Sequence, residues 1–244
     1  LDSRANIMQM ITGTGFTMNG YPVRSLFSFD FKGLNKEGLP IVVNQDGEET
    51  SYGGDLFFQS TTTDYLKYEG PTDPTINGSF GNTFSYKGFK LNVFITYAAG
   101  NKVRLDPVFS SSYSDMTAMP KEFVNRWTNG GDEAITDVPV IADQRMKQND
   151  NYLGYLYNAY NYSTARVAKG DFIRMKEISL AYDFPSKWLM PLHVNTASLK
   201  LQATNLFLIY SDSKLHGQDP EFFNAGGVAT PMPRQFTLTL RVGL

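Results

Sequence analysis

The 244-residue chain contains no cysteine. Disulfides, zinc–thiolate sites, iron–sulfur clusters and a cysteine nucleophile are therefore excluded. Compartment stays open, because a cysteine-free chain fits either redox environment. Histidine is nearly as scarce: His193 and His216 are the only two. That leaves no multi-histidine metal centre and little material for histidine-based catalysis. Charge is sparse and balanced, 22 Lys+Arg against 24 Asp+Glu, a net of −2. Such a chain lacks the basic excess of a nucleic-acid binder. No apolar run approaches the roughly 18 residues of a transmembrane helix, although a transmembrane strand needs only about 9–11, alternately apolar. The opening Leu1-Asp2-Ser3-Arg4 carries no initiator Met, basic segment or apolar segment, which fits a mature chain or a stretch of a longer one.

Aromatic residues, by contrast, are abundant: 14 Tyr, 18 Phe and 2 Trp. Many fall in strand-period alternation. Phe27, Phe29 and Phe31 oppose Ser28, Asp30 and Lys32, which predicts a strand over 26–32. Phe80, Phe84 and Tyr86 oppose Gly81, Thr83, Ser85 and Lys87, and after Lys87-Gly88 the pattern resumes with Phe89, Leu91, Val93, Ile95 and Tyr97. Ala197, Leu199, Leu201 and Ala203 oppose Ser198, Lys200, Gln202 and Thr204. Phe236, Leu238, Leu240, Val242 and Leu244 oppose Gln235, Thr237, Thr239, Arg241 and Gly243. One strand changes phase: Ile173 and Met175 are followed by Ile178, Leu180, Tyr182 and Phe184. A β-bulge near Lys176–Glu177 would return all of them to one face.

The connections alternate in length. A tight turn at 87–89 and a modest link at 184–195, with a helical turn expected over Pro185–Met190, contrast with long stretches at 33–78, 100–170 and 211–233. Loops of that length are uncommon in compact soluble domains. Short turns on one side and long loops on the other describe an outer-membrane barrel. A helix is expected over Pro120–Trp127, with proline in its first turn. Periodicity alone leaves a soluble β-sandwich, such as a carbohydrate-binding module, equally open, since it would bury the same apolar faces between two sheets. Three features favour the barrel: Thr, Ser, Asn, Gln and scattered Lys and Arg on the opposite faces, aromatics near strand ends where interfacial girdles lie, and an apolar last residue in phase with its strand.

Short stretches then carry a resemblance. Residues 170–185, Gly-Asp-Phe-Ile-Arg-Met-Lys-Glu-Ile-Ser-Leu-Ala-Tyr-Asp-Phe-Pro, resemble a strand of SusC/RagA-type TonB-linked outer-membrane proteins. In the family's order come Tyr21-Pro22-Val23-Arg24-Ser25-Leu26-Phe27, the hairpin Phe84-Ser85-Tyr86-Lys87-Gly88-Phe89, Asn125-Arg126-Trp127-Thr128, Ala203-Thr204-Asn205-Leu206-Phe207, Asp219-Pro220-Glu221 and Pro231 to Leu238. The resemblance implies an all-β fold: an antiparallel transmembrane segment of about six to eight C-terminal strands from a ~22-strand barrel, with long extracellular loops. It implies that residues 1–244 are the C-terminal part of a TonB-dependent receptor barrel, with plug domain and TonB box elsewhere. It further implies import of oligosaccharides or peptides across a Bacteroidota-type outer membrane. The implied partners are a SusD-like surface lipoprotein, outer-membrane lipid, and TonB acting through the missing N-terminal region. No nucleic acid and no cofactor are implied.

Candidate contact residues lie in a tyrosine-rich stretch: Tyr152, Tyr155, Tyr157 and Tyr160, with Tyr162, Asn151, Asn158 and Asn161 beside them. Tyrosine offers a flat apolar face with a polar tip, suited to stacking on a sugar or partner. A self-packed loop is the plainer reading. Trp127 joins them as a contact candidate, although an anchoring role suits it better. Asp212, Asp219 and Glu221, like Asp46, Glu48 and Glu49, lack calcium-loop spacing and are expected in solvated turns. Asp30 and Asp183 are lone carboxylates, whereas glycosidases need a pair at set separation. No catalytic residue and no metal site are expected.

Overall fold

The computed structural model describes residues 6–56, 63–114, 116–223 and 232–244; Pro231, the first residue of the last motif, lies outside them. The strands are β1 (Ser25–Ser28), β2 (Phe31–Leu34), β3 (Pro40–Val43), β4 (Glu49–Thr50), β5 (Lys67–Pro71), β6 (Ile76–Tyr86), β7 (Phe89–Ala99), β8 (Lys102–Arg104), β9 (Val167–Lys169), β10 (Phe172–Asp183), β11 (Thr196–Ser211) and β12 (Gln235–Gly243). The α-helices are α1 (Ile7–Thr12), α2 (Gln144–Asn149), α3 (Leu153–Asn161) and α4 (Ser186–Leu189). Two compact units result. One joins Leu1–Asp73 to Asn101–Lys169; the other joins Pro74–Gly100 to Gly170–Leu244.

The second unit is a five-stranded antiparallel sheet in the order β12-β11-β10-β7-β6. Its registers align the alternating residues into rows. Tyr86, Phe89, Tyr182, Leu199 and Leu240 form one; Phe84, Leu91, Leu180, Leu201 and Leu238 form the next; Asn82, Val93, Ile178, Ala203 and Phe236 form a third. Between them, on the other face, run Ser85, Lys90, Ala181, Lys200 and Thr239, then Thr83, Asn92, Ser179, Gln202 and Thr237. The polar face is internally bonded: Lys90 pairs with Asp183 at 2.7 Å, and the Thr83 hydroxyl donates to Asn92 at 3.1 Å. The apolar face is bare. Phe80 is 60% exposed and Leu238 68%. A sandwich would bury those side chains under a second sheet, so this unit is not sandwich-packed. From Phe89 to Tyr97, β7 spans about 26 Å at ~3.3 Å per residue, enough for an outer-membrane apolar band of about 25 Å before tilt.

The predicted bulge is present: pairing of β10 with β7 steps from Met175↔Ile95 to Glu177↔Phe94, leaving Lys176 as the extra residue. Beside it, β11 skips between Phe207 and Thr204, where Asn205 adopts a left-handed φ of 54°. The β6–β7 turn is also as expected, with Lys87 at φ 45° and Gly88 at φ 88°, the twist that suits a two-residue hairpin. The helical turn expected after Pro185 is α4.

The first unit corrects the strand predicted over 26–32. The segment splits, with β1 pairing to β5 and β2 to β3. Both of its faces are covered. Leu26, Phe27 and Phe29 enter the core with Met10, Ile11, Val42, Phe109, Leu156, Tyr157 and Tyr160. Two of the alternating polar residues are buried too, but partnered: the Ser28 hydroxyl accepts from Arg104 at 2.9 Å, and Asp30 pairs with exposed Lys32 and Lys67 at 2.8 Å each. Arg104 also donates to the carbonyls of Ile11, Phe27 and Ser163, tying α1, β1 and the end of α3 together. The all-β expectation therefore describes the sheet, while short helices and 3-10 turns share the first unit.

Candidate functional site

The tyrosine-rich stretch folds as helix α3, because Leu153, Leu156, Tyr157 and Tyr160 recur at helical spacing and all are buried. This corrects two of the contact candidates. Tyr157 and Tyr160 are core residues: the Tyr157 hydroxyl donates to the Val140 carbonyl at 2.5 Å, and the Tyr160 ring meets Phe109 edge-on at 5.2 Å. Burial pushes both phenols well above the usual tyrosine range. Tyr152 and Tyr155 emerge on the outer side, half exposed, with rings stacked at 5.9 Å and 20°. Exposed Asn151 stands beside them.

Asp150 mounts this surface. Its buried carboxylate accepts from the backbone N–H of Tyr152 and of Gly53, each at 2.8 Å, so the start of α3 is joined to the Gly53–Asp55 turn. Asn161 closes the other end, donating to the Phe109 carbonyl at 2.7 Å and accepting from its N–H at 3.1 Å. Sequence reading passed over Asp150 and named Asn161 only as a neighbour of the tyrosines. The signal available was an acid before a helix start, the position where side-chain oxygens satisfy free N–H groups.

Trp127 is held as an anchor. Its indole N–H donates to Glu133 at 3.0 Å, and its ring packs on Gly38, whose φ is +78°. A Cβ at Gly38 would lie 2.5 Å from the ring. The indole donor lowers the pKa of Glu133, and the backbone N–H groups of Asn129 and Thr128 with the Thr128 hydroxyl lower that of Asp132. The helix expected over Pro120–Trp127 is a 3-10 turn, Lys121–Asn125. Beside it Glu122, Arg126, Asp132, Ile135 and Asp137 line an open cleft of about 450 Å³. No cluster of three metal-ligating side chains occurs among the described residues.

Asp219 and Glu221 are not in a freely solvated turn. Asp219 is fully buried and bonds Arg174 at 2.5 Å, while half-exposed Glu221 reaches the same guanidinium at 3.2 Å. Two stretches that carry the resemblance, one on β10 and one after β11, thus meet in an ion pair. Asp46 and Glu48 do lie exposed in the turn before β4, and Glu49 exposed at its first position.

No family model matches the chain. Among curated proteins it is similar to TonB-dependent receptor P39 of Formosa agariphila, 28% identical over 191 residues, covering 73% of this chain and 17% of that protein. It is also similar to TonB-dependent receptor P3 of the same organism, 23% identical over 85% of this chain and 19% of that protein. The chain thus spans under a fifth of the length of these relatives. They are receptors rather than enzymes, as the sequence reading expects here. Among solved structures, the RagAB peptide transporter aligns over 95% of this chain and 23% of its own, at 22% identity and a TM-score of 0.65. An "open-open" state of the RagAB peptide importer gives 0.63 over 94% of this chain. In sequence the chain is similar to TonB-dependent receptors, and in fold to the RagAB transporter structures.

Proposed function

We propose that the chain forms C-terminal barrel wall and extracellular loops of a TonB-dependent importer in the outer membrane of a Bacteroidota-type bacterium. The observation that carries this reading is the five-stranded sheet with one bare apolar face and one bonded polar face. Lipid covers the first, and the second faces the interior. The long segments depart from the strand ends opposite the Lys87–Gly88 turn, so they form the extracellular side. Plug and TonB contacts belong to parts of the receptor outside this sequence. The substrate is a peptide or oligosaccharide, and a SusD-like lipoprotein caps the mouth. Tyr152 and Tyr155 supply the contact surface of the α3 segment, with Tyr157 and Tyr160 as its footing. Trp127 keeps its neighbouring turn in place.

The test is partition. The chain is purified without detergent and then in detergent micelles, each followed by size exclusion and far-UV circular dichroism. The expected outcome is aggregation in buffer and β-structure in micelles. A stable detergent-free monomer with the same β-spectrum would sink the barrel-wall reading.

A further inference from the structure

We propose that the link after β10, Ser186 to His193, is an in-plane membrane anchor seated in the phospholipid headgroup layer. The proposal rests on the barrel-wall reading and assigns that wall a fixed height in the bilayer. The link is short, α4 followed by a 3-10 turn over Met190–Leu192, and its apolar side chains point the wrong way for a soluble protein. Leu189 alone is buried. Trp188 is 55% exposed, Met190 73% and Leu192 69%.

Trp188 continues the bare face of the sheet. Tyr182 belongs to the last apolar row and packs on Phe89 at 4.5 Å. Trp188 lies 6.4 Å from both Tyr182 and Phe184, extending that row beyond the strand end. The composition then changes from aliphatic to aromatic with cationic tips. Lys187 is exposed on α4, and exposed Lys87 at the neighbouring hairpin tip sits 5.2 Å from the centre of the Tyr86 ring. Residues 186–195 contain no carboxylate. Asp183, the nearest in sequence, is bonded to Lys90. Tryptophan with flanking lysine is the chemistry of the layer where acyl chains give way to phosphates, because the indole has an apolar body and a polar N–H.

The link is also held to the sheet at both ends. The Phe184 N–H donates to the Ala197 carbonyl at 3.0 Å, and the Asn195 N–H to the Gly243 carbonyl at 2.9 Å. Within it, Val194 N–H closes on the Leu189 carbonyl. An anchor so tethered sets the depth of every row above it. A second protein could cover the same side chains, but continuity with the bare face and the two exposed lysine tips fit lipid phosphate.

Fluorescence quenching tests this on the full 244-residue chain in vesicles of phosphatidylethanolamine and phosphatidylglycerol. Trp127→Phe leaves Trp188 as the sole tryptophan. A second variant, W127F/W188F/L201W, places the reporter on the bare face. The expected result is that Trp188 is quenched more than twofold better by a lipid carrying its quencher near the headgroup than near the chain end. Leu201→Trp should show the reverse order. Trp188 quenched by aqueous iodide, or protected from iodide and both lipids, overturns the anchor while Leu201→Trp still reports deep lipid. Iodide reaching both reporters overturns the barrel-wall reading itself.

Discussion

Arg174 on β10 and Asp219 after β11 form an ion pair at 2.5 Å with both side chains buried. Charges withdrawn from water in this way are costly to strand: removing one partner of a buried pair typically costs about 3–5 kcal/mol. Asp219→Ala should cost about 3 kcal/mol, the low end of that range, because Glu221 stays within reach of the guanidinium. Arg174→Ala should cost more, since it leaves two carboxylates facing each other. Urea unfolding in detergent, followed by far-UV circular dichroism, measures both.

The two faces of the sheet should respond oppositely to charge. Val93 lies in the third apolar row, two rows in from the turn-end row, and Val93→Arg should lose about 2–4 kcal/mol of folding stability in a bilayer, the cost of a cation near mid-depth. Thr237→Arg, on the polar face of β12, should change it by less than about 0.5 kcal/mol. Folding into phospholipid vesicles across a urea series reads the difference.

Gly38 and Gly130 make a matched pair. Gly38→Ala combines a φ of +78° with a Cβ 2.5 Å from the Trp127 ring, so it should cost well over about 1 kcal/mol. Gly130 has no left-handed φ and nothing within 4 Å of a Cβ. Gly130→Ala should therefore be neutral or slightly stabilising in the same thermal melt.

The first unit should weaken in alkali. Burial pushes Tyr65 to about 12 and moves Tyr157 and Tyr160 higher still. An unfolded tyrosine titrates near 10. Above that pH the unfolded chain sheds protons that the folded chain retains, so stability falls as pH rises. Arg104 acts in the other direction. Burial lowers it to about 9, so its penalty eases as pH climbs from there toward its unfolded value. Burial raises Tyr113 as well, so four tyrosines oppose Arg104, and the net slope above pH ~10 is downward. Tyr157→Phe should flatten that slope by one proton, as seen in unfolding midpoints paired with phenolate absorbance.

The sheet was legible because strands with one apolar and one polar face repeat every second residue without interruption. The bulge at Lys176 was legible for the same reason, since Met175 and Ile178 cannot otherwise share a face. The bulge at Asn205 left no trace, because Ala203 and Phe207 keep the same parity on either side of it. Strand 26–32 misled because alternation does not say what covers the polar side. Here Arg104, about 75 residues away in sequence, supplies the donor for Ser28. The two buried tyrosines could have been separated from the two exposed ones by spacing alone: Leu153, Leu156, Tyr157 and Tyr160 follow the helical period, and Tyr152 and Tyr155 fall off it.

Among the described residues the sheet has five strands, each antiparallel to its neighbours. Its two edges, β6 and β12, therefore run in the same direction. Bringing those edges together would create a parallel seam, so the piece cannot close on itself in its own pattern. A fully antiparallel ring needs an odd number of further strands. Between two copies that keep their apolar faces on the same side, antiparallel pairing is possible only like to like, β12 against β12 or β6 against β6, each a two-fold symmetric join. Parity alone thus decides how the wall can be completed.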